Sequence, residues 1–320
     1  MARPAQVAIV GAGMAGASAA RRLADAGFAV SVFDKGRQVG GRMASRRDRE
    51  TGLRFDHGAQ VLRAHGPAFR HRLDAWRARG IVAPWDAPGT HAVVPDMTAP
   101  VRDLLAGLEV HVGRTVTGLT RDAAGWRLAL AEASEARVFD ALVLTPPAPQ
   151  AERLIDSMAP GLGAPGFAGL RKAAYAPCWS LMLAVPQELP FAGDVLRPGE
   201  GPIAAVFRES AKPGRSGAAP HVTLHASPEW SAAHLEETPE AVEAALLAAL
   251  GALLGMAIAP THRRAHRWRY ALVTATCGAP YLYDAAARLG YAGDACLGPR
   301  VEAAYDSGAA LAERLAADFA

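Results

Sequence analysis

Apolar and small residues form short blocks near the amino end of the chain, and each block ends at glycine or at a polar residue. Gln6–Val10 reads as a buried parallel strand, and Ala29–Phe33 reads as a second one that Asp34 ends. Between them, the run from Ala17 to Ala26 is typical of a helix, and Gly27 follows it. The pattern predicts strand, helix and strand, the opening of a doubly wound α/β fold.

Similar patterns recur along the rest of the chain. Strands are predicted at Leu108–Gly113, Thr115–Leu119, Gly125–Leu130, Ala141–Leu144, Cys178–Val185, Pro202–Phe207, His221–Ala226 and Arg267–Leu272. Helices are predicted over Ala148–Ile155, after the break at Thr145-Pro146-Pro147, and from Ser227 and Thr238, which suit N-cap positions. Arg208–Pro220 is polar and rich in glycine and proline, which predicts a loop.

Length and composition exclude several classes of protein. The chain has 320 residues, 51% of them hydrophobic, which suits about two domains at ~100–200 residues each. A net charge of +3, with only three lysines, indicates neither a nucleic-acid partner nor a polybasic membrane anchor. The cysteines Cys178, Cys277 and Cys296 are too far apart for a CxxC site, so no metal is predicted and a reducing, cytoplasmic location is expected. The longest uncharged apolar run, Ala244–Ala259, is shorter than the ~18–20 residues that span a membrane.

The first predicted strand leads directly into Gly11-Ala12-Gly13-Met14-Ala15-Gly16, a G-x-G-x-x-G pattern. In this pattern the first glycine permits a tight turn, the second lets the backbone approach a pyrophosphate, and the third lets helix and strand pack closely. The helix N-terminus offers free N–H groups to the phosphates. Asp34 follows the second strand, where a carboxylate can accept hydrogen bonds from an adenosine ribose. Together these features predict a dinucleotide site.

A second glycine-rich segment, Gly40-Gly41-Arg42-Met43, follows the acid after a short loop. Its arginine is well placed to fold back over the same pyrophosphate as a fixed cation. The arrangement of Asp34 with Gly40-Gly41-Arg42 resembles the FAD-binding pattern of the amine-oxidase-like flavoproteins. We therefore expect FAD rather than NAD as the resident cofactor.

Five further segments sharpen the resemblance: Phe55-Asp56-His57-Gly58-Ala59-Gln60, His225-Ala226-Ser227-Pro228-Glu229-Trp230-Ser231, His266-Arg267-Trp268-Arg269-Tyr270-Ala271, Tyr291-Ala292-Gly293-Asp294 and Gly298-Pro299-Arg300-Val301-Glu302. Together they resemble a bacterial renalase-type FAD-dependent oxidoreductase over essentially the whole chain. The resemblance implies a Rossmann-type FAD-binding domain interleaved with a smaller α+β substrate domain that carries a mixed or antiparallel sheet. The expected FAD-binding domain covers residues 1–61, 96–150 and 281–320, and the substrate domain covers 62–95 and 151–280.

The resemblance also implies a set of cofactor contacts and a position for the last helix, whose N-terminus would favour the negative charge of a reduced flavin. We expect FAD to be bound without a covalent link, because a thioether at Cys296 has little support. The residues expected to contact FAD are Gly11, Ala12, Gly13, Met14, Ala15, Gly16, Asp34, Lys35, Gly41, Arg42, Met43, His57, Gly58, Ala59, Gln60, Val116, Gly293, Asp294, Arg300 and Val301.

The activity implied is oxidation of misreduced dihydro-NAD(P) isomers to NAD(P)+, with O2 as electron acceptor and H2O2 as product. Gln60, Trp268 and Tyr270 are the candidate substrate-facing residues, although core packing is an equal alternative for the two aromatics. Val61-Leu62 and Ala303 depart from the family pattern near the substrate pocket. Two alternatives therefore stay open: a flavin oxidase or dehydrogenase of a small amine or other hydride donor, and a non-catalytic flavoprotein that senses nucleotides.

Overall fold

The computed structural model of the chain describes residues 3–132, 135–158, 165–215 and 219–320. Its helices are α1 (Met14–Asp25), α2 (Pro67–Ala78), α3 (Ala99–Leu104), α4 (Ala148–Asp156), α5 (Pro228–Ala233), α6 (Pro239–Leu254), α7 (Asp294–Leu297) and α8 (Val301–Ala317). Its strands are β1 (Gln6–Val10), β2 (Ala29–Asp34), β3 (Ser45–Arg47), β4 (Arg54–Asp56), β5 (Val82–Pro84), β6 (His91–Val93), β7 (Glu109–Val112), β8 (Val116–Asp122), β9 (Gly125–Leu130), β10 (Ala141–Leu144), β11 (Ala174–Ala184), β12 (Val195–Leu196), β13 (Ile203–Arg208), β14 (His221–Ala226), β15 (His262–Ala275), β16 (Leu282–Asp284) and β17 (Leu289–Tyr291). Short 3-10 helices cover Gly41–Met43, Pro165–Lys172 and Glu209–Ala211.

A six-stranded sheet gathers both ends of the chain. Its order is β16-β17-β10-β1-β2-β7, and its strands are parallel except for the edge strand β16. Alternate side chains of β1 enter two separate cores: Val7 and Ile9 pack with α1, α2, α3 and α8, while Ala8 and Val10 pack with α4 and the β8–β9 hairpin. Because both faces are covered at the centre of the sheet, β10 is wholly apolar and β1 is apolar after Gln6, whereas the edge strand β7 carries Glu109 and His111.

A five-stranded antiparallel sheet, in the order β12-β13-β14-β11-β15, forms the second architectural unit. The helix α6 covers one face through Val242, Leu246 and Leu250. The predicted N-caps are confirmed: the Ser227 hydroxyl accepts from the Trp230 N–H, and the Thr238 hydroxyl accepts from the Ala241 N–H. The predicted fold class is thus confirmed, with an antiparallel second sheet.

The segment 62–95 divides its buried side chains between the two units. Phe69, Leu73 and Trp76 of α2 pack into the core of the six-stranded sheet. Trp85 and Ala92 instead pack beside β13. Assignment of this whole segment to the substrate domain therefore stays a prediction, because the segment contacts both cores.

Several predicted boundaries were wrong: the strand predicted at Cys178–Val185 spans Ala174–Ala184, and the one predicted at Thr115–Leu119 spans Val116–Asp122. In two further cases tertiary contacts outweigh local propensity. The first helix begins at Met14 rather than Ala17, because the close packing of Gly16 against the first strand outweighs the poor helix propensity of glycine. The strand predicted at Arg267–Leu272 extends over His262–Ala275, since its amino half pairs with Leu181–Ala184 of β11 and Arg263 pairs with Glu243. In the described part of the chain, no helix is both long and apolar enough to cross a membrane.

The first helix and the last helix cross at a glycine. An added Cβ on Gly308 would lie 2.2 Å from the carbonyl oxygen of Ala15, a distance that requires the two backbones to separate. The Ser18 hydroxyl donates to the carbonyl of Tyr305 at 2.8 Å across the same crossing. The crossing thus holds α1, and with it the glycine turn before α1, against α8.

We expect Gly308→Ala to lower the free energy of unfolding by about 1–3 kcal/mol, as overpacking does. This sign is opposite to the gain of up to about 1 kcal/mol that alanine normally brings to a helix interior. Urea unfolding followed by circular dichroism measures the change. Gly118→Ala is the control, because its Cβ would lie at an ordinary 3.6 Å from the Ala129 Cβ. Equal stability of the Gly308 variant and the parent would contradict the crossing.

Candidate functional site

A large cavity lies where the carboxyl ends of the parallel strands meet the five-stranded sheet. Its volume is about 2290 Å³, more than twice the ~300–1,000 Å³ of an ordinary small-molecule pocket. The turn after β1, the end of β2 and the start of α8 line one side, and β14 and β15 line another. The cavity has room for a dinucleotide and a second molecule.

The G-x-G-x-x-G turn forms a cradle at one end of this cavity. A Cβ on Gly16 would lie 1.9 Å from the carbonyl oxygen of Gly11, so only glycine lets α1 approach β1 this closely. A Cβ on Gly13 would meet nothing within 4 Å, because it would point into the open cradle. The cradle therefore offers backbone N–H groups at a helix N-terminus, the arrangement that binds a pyrophosphate.

The end of β2 provides the acid predicted to bind a ribose. The Asp34 carboxylate lines the cavity and accepts from the N–H groups of Ala12 and Gly36, each at 2.6 Å. These two bonds fix the orientation of the carboxylate, and its remaining lone pairs can accept hydrogen bonds from a ligand in the cavity. Lys35 donates to Gln150 at 3.0 Å, and Val116 lines the same end.

Arg42 and Asp294, predicted as separate cofactor contacts, form a bidentate ion pair. The two Asp294 oxygens lie 2.7 and 2.6 Å from Nη1 and Nη2 of Arg42, and Nη1 also donates to the carbonyl of Ala271 at 3.2 Å. Burial would lower the pKa of Arg42, but Asp294 reverses the effect and raises it. Three of the five guanidinium donors are used, so Arg42 keeps two for an anion.

The segment after β4 borders the middle of the cavity. A Cβ on Gly58 would lie 2.0 Å from the Arg42 carbonyl oxygen and 3.4 Å from the Trp268 ring. The carbonyl of His57 accepts from Trp268 Nε1 at 2.7 Å and from the Ser180 hydroxyl at 2.6 Å. The indole of Trp268 also stacks on the His57 imidazole, so this cavity wall is rigid.

A buried ion cluster lies behind this segment, and sequence reasoning missed it. Its members are Asp56, Glu209, Lys212 and Arg215, whose side chains are at most 3% exposed. Lys212 Nζ donates to Asp56 at 2.8 Å and to Glu209 at 3.0 Å, and Arg215 pairs with both acids. The predicted polar loop therefore contributes three of the four side chains of a buried ion cluster.

The signal in the sequence was the spacing of Glu209, Lys212 and Arg215, one acid followed by two basic residues at intervals of three. Burial alone would raise the pKa of Asp56, but Lys212 and Arg215 hold it far below its usual range. Asp56 therefore stays ionised at neutral pH.

The ion cluster also fixes Gln60. Lys212 Nζ donates to Oε1 of Gln60 at 2.7 Å, which directs the amide nitrogen toward the Asp56 carbonyl. Gln60 Nε2 lies 3.5 Å from Nε2 of His225, a cavity residue that the sequence analysis quoted within a family segment without giving it a role. Gln60 lines the cavity, but its polar atoms are held mainly by protein groups.

Three cavity histidines are neutral at pH 7. Burial, with His266 and Arg46 nearby, lowers the pKa of His57 to about 3, and Nδ1 of His57 is buried without a hydrogen-bond partner in the described structure. Burial and Lys212 lower the pKa of His225 to about 4. Burial, Arg46 and Arg264 lower that of His266 to about 4. These imidazoles are therefore poor bases.

The cysteines take no part in the cradle. Cys277 and Cys296 are buried, hydrogen-bonded to each other and outside the cavity lining. Cys178 lines the cavity, but burial raises its pKa to about 12, so its thiol stays protonated.

The structure brings most of the predicted site residues to this one cavity. Ala12 and Gly16 shape the turn from behind and do not line it. Lining it are Gly11, Gly13, Met14, Ala15, Asp34, Lys35, Gly41, Arg42, Met43, His57, Gly58, Ala59, Gln60, Val116, Trp268, Tyr270, Gly293, Asp294, Arg300 and Val301. Trp268 and Tyr270 are half-buried, while Arg267 and Arg269 between them are exposed, as the alternation predicts. The open cradle at Gly13, the fixed Asp34 and the cavity volume fit an extended dinucleotide cofactor.

Comparisons with known proteins point to flavoenzymes. The description "NAD(P)-binding Rossmann-like domain" matches residues 9–76, and "Flavin containing amine oxidoreductase" matches residues 76–316. A proposed protoporphyrinogen oxidase from Exiguobacterium sp. 255-15 is similar in structure, with TM-score 0.76, 15% identity and coverage of 98% of this chain and 99% of that one. Cyclohexylamine oxidase from Brevibacterium oxydans IH-35A gives TM-score 0.72, 13% identity and 99% coverage of both chains. At these identities the structural likeness concerns the fold.

A curated relative matches a shorter segment. The 4,4'-diapophytoene desaturase (4,4'-diaponeurosporene-forming) of Staphylococcus haemolyticus is 45% identical over 56 residues, 18% of this chain and 11% of the relative's length. The match thus spans about a tenth of that protein.

The geometry of the cradle predicts that a larger side chain at position 13 weakens binding of the cofactor. The backbone of Gly13 has φ −84°, which other residues adopt freely, so Gly13→Val should fold normally while its side chain fills the pyrophosphate position. We expect affinity for FAD at least about tenfold weaker, or ~1.4 kcal/mol. FAD released by acid precipitation measures occupancy, with Gly118→Ala as control. Full occupancy in Gly13→Val would contradict the cradle, and yellow colour left in the pellet would contradict non-covalent binding.

The histidines predict how stability depends on pH. The pKa of His266 falls from 6.5 to about 4 on folding, so between these values the unfolded chain binds a proton that the folded chain does not. The free energy of unfolding should therefore fall as pH is lowered through this window. His266→Asn should reduce the loss, whereas the exposed control His71→Asn should not. Parallel urea unfolding at pH 7 and pH 5 measures the slopes, and identical slopes for all three proteins would exclude this effect.

Proposed function

Because the chain belongs to the flavin-containing amine oxidoreductase family, we propose that it is an FAD-dependent oxidase of misreduced dihydro-NAD(P) isomers. When bound, the flavin supplies the redox chemistry: it accepts a hydride and passes two electrons to O2. In balance, one dihydronicotinamide, one O2 and one proton give one NAD(P)+ and one H2O2.

The charge of the cavity is the observation that carries this proposal. Thirteen cationic side chains and four carboxylates line it, but Arg267 and Arg269 are paired with Glu236 on the helix side of β15. The remaining eleven cations exceed the four carboxylates by seven charges, in a chain whose net charge is only +3. The cations are Lys35, Arg37, Arg42, Arg46, Arg47, Arg49, Arg63, Arg114, Arg153, Arg197, Arg267, Arg269 and Arg300, and the acids are Asp34, Asp48, Glu50 and Asp294. FAD carries two phosphate charges, so most of the excess remains for an anionic substrate.

Small amines suit this cavity less well. An alkylammonium ion is cationic at neutral pH and would need a free carboxylate. Asp294 is paired with Arg42, Asp34 accepts two backbone N–H bonds, and Asp48 is held by Thr51. His57, His225 and His266 are too weakly basic to take a proton from an ammonium group. A dihydropyridine needs no such base, because the ring nitrogen's lone pair drives hydride loss.

Different residues of the site would bind the cofactor and the substrate. The glycine cradle and the N-terminus of α8, with Arg300 and Val301, would hold the cofactor by N–H groups and helix dipoles. Trp268 and Tyr270 provide flat walls for a planar ring. His57, held by the stacked Trp268, excludes water from the space between them.

A small amine remains the second candidate, because the family and the cyclohexylamine oxidase fold both accommodate amine oxidation. The exposed carboxylate of Glu50 is the cavity acid for which the described residues provide no hydrogen-bond donor. Its place on the β3–β4 turn, away from Trp268, makes it a poor ammonium site for hydride transfer.

Anaerobic stopped-flow mixing tests the proposal. Borohydride-generated dihydro-NAD isomers should bleach the flavin absorbance of the holoenzyme at least about a hundredfold faster than NADH or cyclohexylamine at equal concentration. Admission of O2 should then restore the colour and yield one H2O2 per donor oxidised. Peroxide from amines but not from the isomers would replace the proposal with the amine candidate. A bound flavin that no donor reduces would instead indicate a sensing role.

A further inference from the structure

The antiparallel sheet places a row of side chains across one face of the cavity. Ser180 of β11 pairs with His266 of β15 on one side and with His225 of β14 on the other. His225 also pairs with Ala205 of β13. Directly paired residues point to the same face of a sheet, and His266, His225 and Ala205 line the cavity. Because neighbouring strands lie about 4.8 Å apart, this cross-strand row spans ~14 Å from β15 to β13.

The β13 end of the row is aromatic and uncharged. Phe207, two residues beyond Ala205, lines the cavity, and its ring packs edge-to-face on His225 with ring centroids 5.2 Å apart. Val61 packs against the apolar cluster that contains Phe207, and it also lines the cavity. His225 is neutral because burial and Lys212 lower its pKa to about 4. This end of the cavity therefore offers an apolar surface to a ligand.

Two arginines at this end are attached to one turn. The β5–β6 turn is closed by a 3.0 Å hydrogen bond from the Trp85 N–H to the Thr90 carbonyl. Arg63 Nε donates to the Thr90 hydroxyl at 3.0 Å. From the other end of the turn, the Asp86 carboxylate lies 3.9 Å from Nη1 of Arg197. Both arginines line the cavity, so the turn brings two cations from distant parts of the chain to the β13 end of the row.

The two guanidinium groups keep hydrogen-bond donors for a ligand. The 3.9 Å between Arg197 and Asp86 is longer than a hydrogen bond, so this pair occupies no donor. The guanidinium carbon of Arg197 lies 5.9 Å from the centroid of the Phe207 ring, which places the cation beside the aromatic surface. Within the described ranges Arg63 forms no ion pair, and the bond to Thr90 uses only its Nε. The terminal N–H groups of an arginine match the oxygens of a phosphate in pairs.

We propose that Arg63 and Arg197 bind the phosphates of the substrate, so that the enzyme selects nucleotide donors over donors that lack phosphate. This inference rests on the proposed function and names the part of the substrate that the site recognises. Trp268 stands beside His266 on the cavity face of β15, so a ring stacked there is too short to reach the arginines. The ribose-pyrophosphate arm of a dinucleotide is long enough to cross the ~14 Å of the cross-strand row.

The proposed phosphate site is separate from the cofactor cradle. The cradle follows β1 of the six-stranded sheet, whereas Arg197 follows β12 at the edge of the antiparallel sheet. We therefore expect Arg63→Gln and Arg197→Gln to keep the FAD occupancy of the parent, which FAD released by acid precipitation measures. Loss of FAD from both variants would assign the arginines to the cofactor and overturn the substrate site.

Paired donors test the site by kinetics. The dihydro isomers of NAD and of nicotinamide riboside share the reacting ring, but only the former carry a pyrophosphate. In Arg63→Gln and Arg197→Gln, we expect KM for the dihydro-NAD isomers to rise about tenfold, the scale of one lost charged hydrogen bond, with kcat unchanged. KM for the riboside isomers should stay constant.

The matched control for these kinetics is Arg263→Gln. Arg263 lies outside the cavity lining, and its charge is paired with Glu243 at 3.5 Å, so its loss should change KM for neither donor. Equal effects of Arg63→Gln and Arg197→Gln on both donors, or no effect on either donor, would contradict the phosphate site.

Binding without turnover separates this inference from the proposed function. ADP-ribose has the pyrophosphate but no reducible ring, and calorimetry measures its affinity for the holoenzyme. We expect ADP-ribose to bind Arg63→Gln and Arg197→Gln more weakly than the parent, and the difference to shrink at high salt because exposed charges are screened. If no dihydropyridine reduces the flavin but this pattern holds, only the proposed reaction fails. If ADP-ribose binds parent, variants and control equally, the phosphate site is wrong.

Discussion

The buried ion cluster of Asp56, Glu209, Lys212 and Arg215 is the constraint on which the cavity wall depends. Ions taken out of water are stable only when their charges and hydrogen bonds are all satisfied, and removal of one partner from such a pair costs about 3–5 kcal/mol. Here each acid has additional donors: Met97 N–H and the Ser45 hydroxyl bond to Asp56, and the Thr223 hydroxyl bonds to Glu209. The cluster therefore ties the β3–β4 hairpin, the start of α3 and strand β14 to a single loop. The segment from His57 to Gln60 has little freedom as a result.

This rigidity matters because the chemistry expected of the site belongs to a cofactor and not to a side chain. The protein has to hold two flat rings in register and exclude water, which demands precise walls rather than a reactive group. Arg42 and Asp294 serve the same end. Their bidentate pair joins the glycine-rich loop after β2 to the start of α7 across the cavity. This link holds the two segments together although many cationic side chains surround the cavity.

Local patterns in the sequence predict the parts of the structure that local forces determine. The β1–α1–β2 unit follows from glycine positions and apolar periodicity, and the caps at Ser227 and Thr238 follow from side-chain hydrogen bonding to nearby N–H groups. Arg208–Pro220 was predicted to be an ordinary loop because its composition is polar. Its burial depends on Asp56 and Gln60, about 150 residues away in sequence, as the Lys212 contacts show. Only the three-residue spacing of its charges hinted at this, and such spacing equally suits an exposed helix.

On strand β15, adjacent residues lie in two different electrostatic environments, one on each face of the sheet. Its side chains point alternately to α6 and the turn before it, and to the opposite side of the sheet, where His266, Trp268 and Tyr270 line the cavity. A deletion of one residue within the strand, or a slip of its pairing with β11 by one position, would exchange the rows. The arginines that now neutralise Glu236 and Glu243 would turn into the cavity, and Trp268 would turn out of it. The register of this strand therefore decides which of its side chains face the acids Glu236 and Glu243 and which face the cavity.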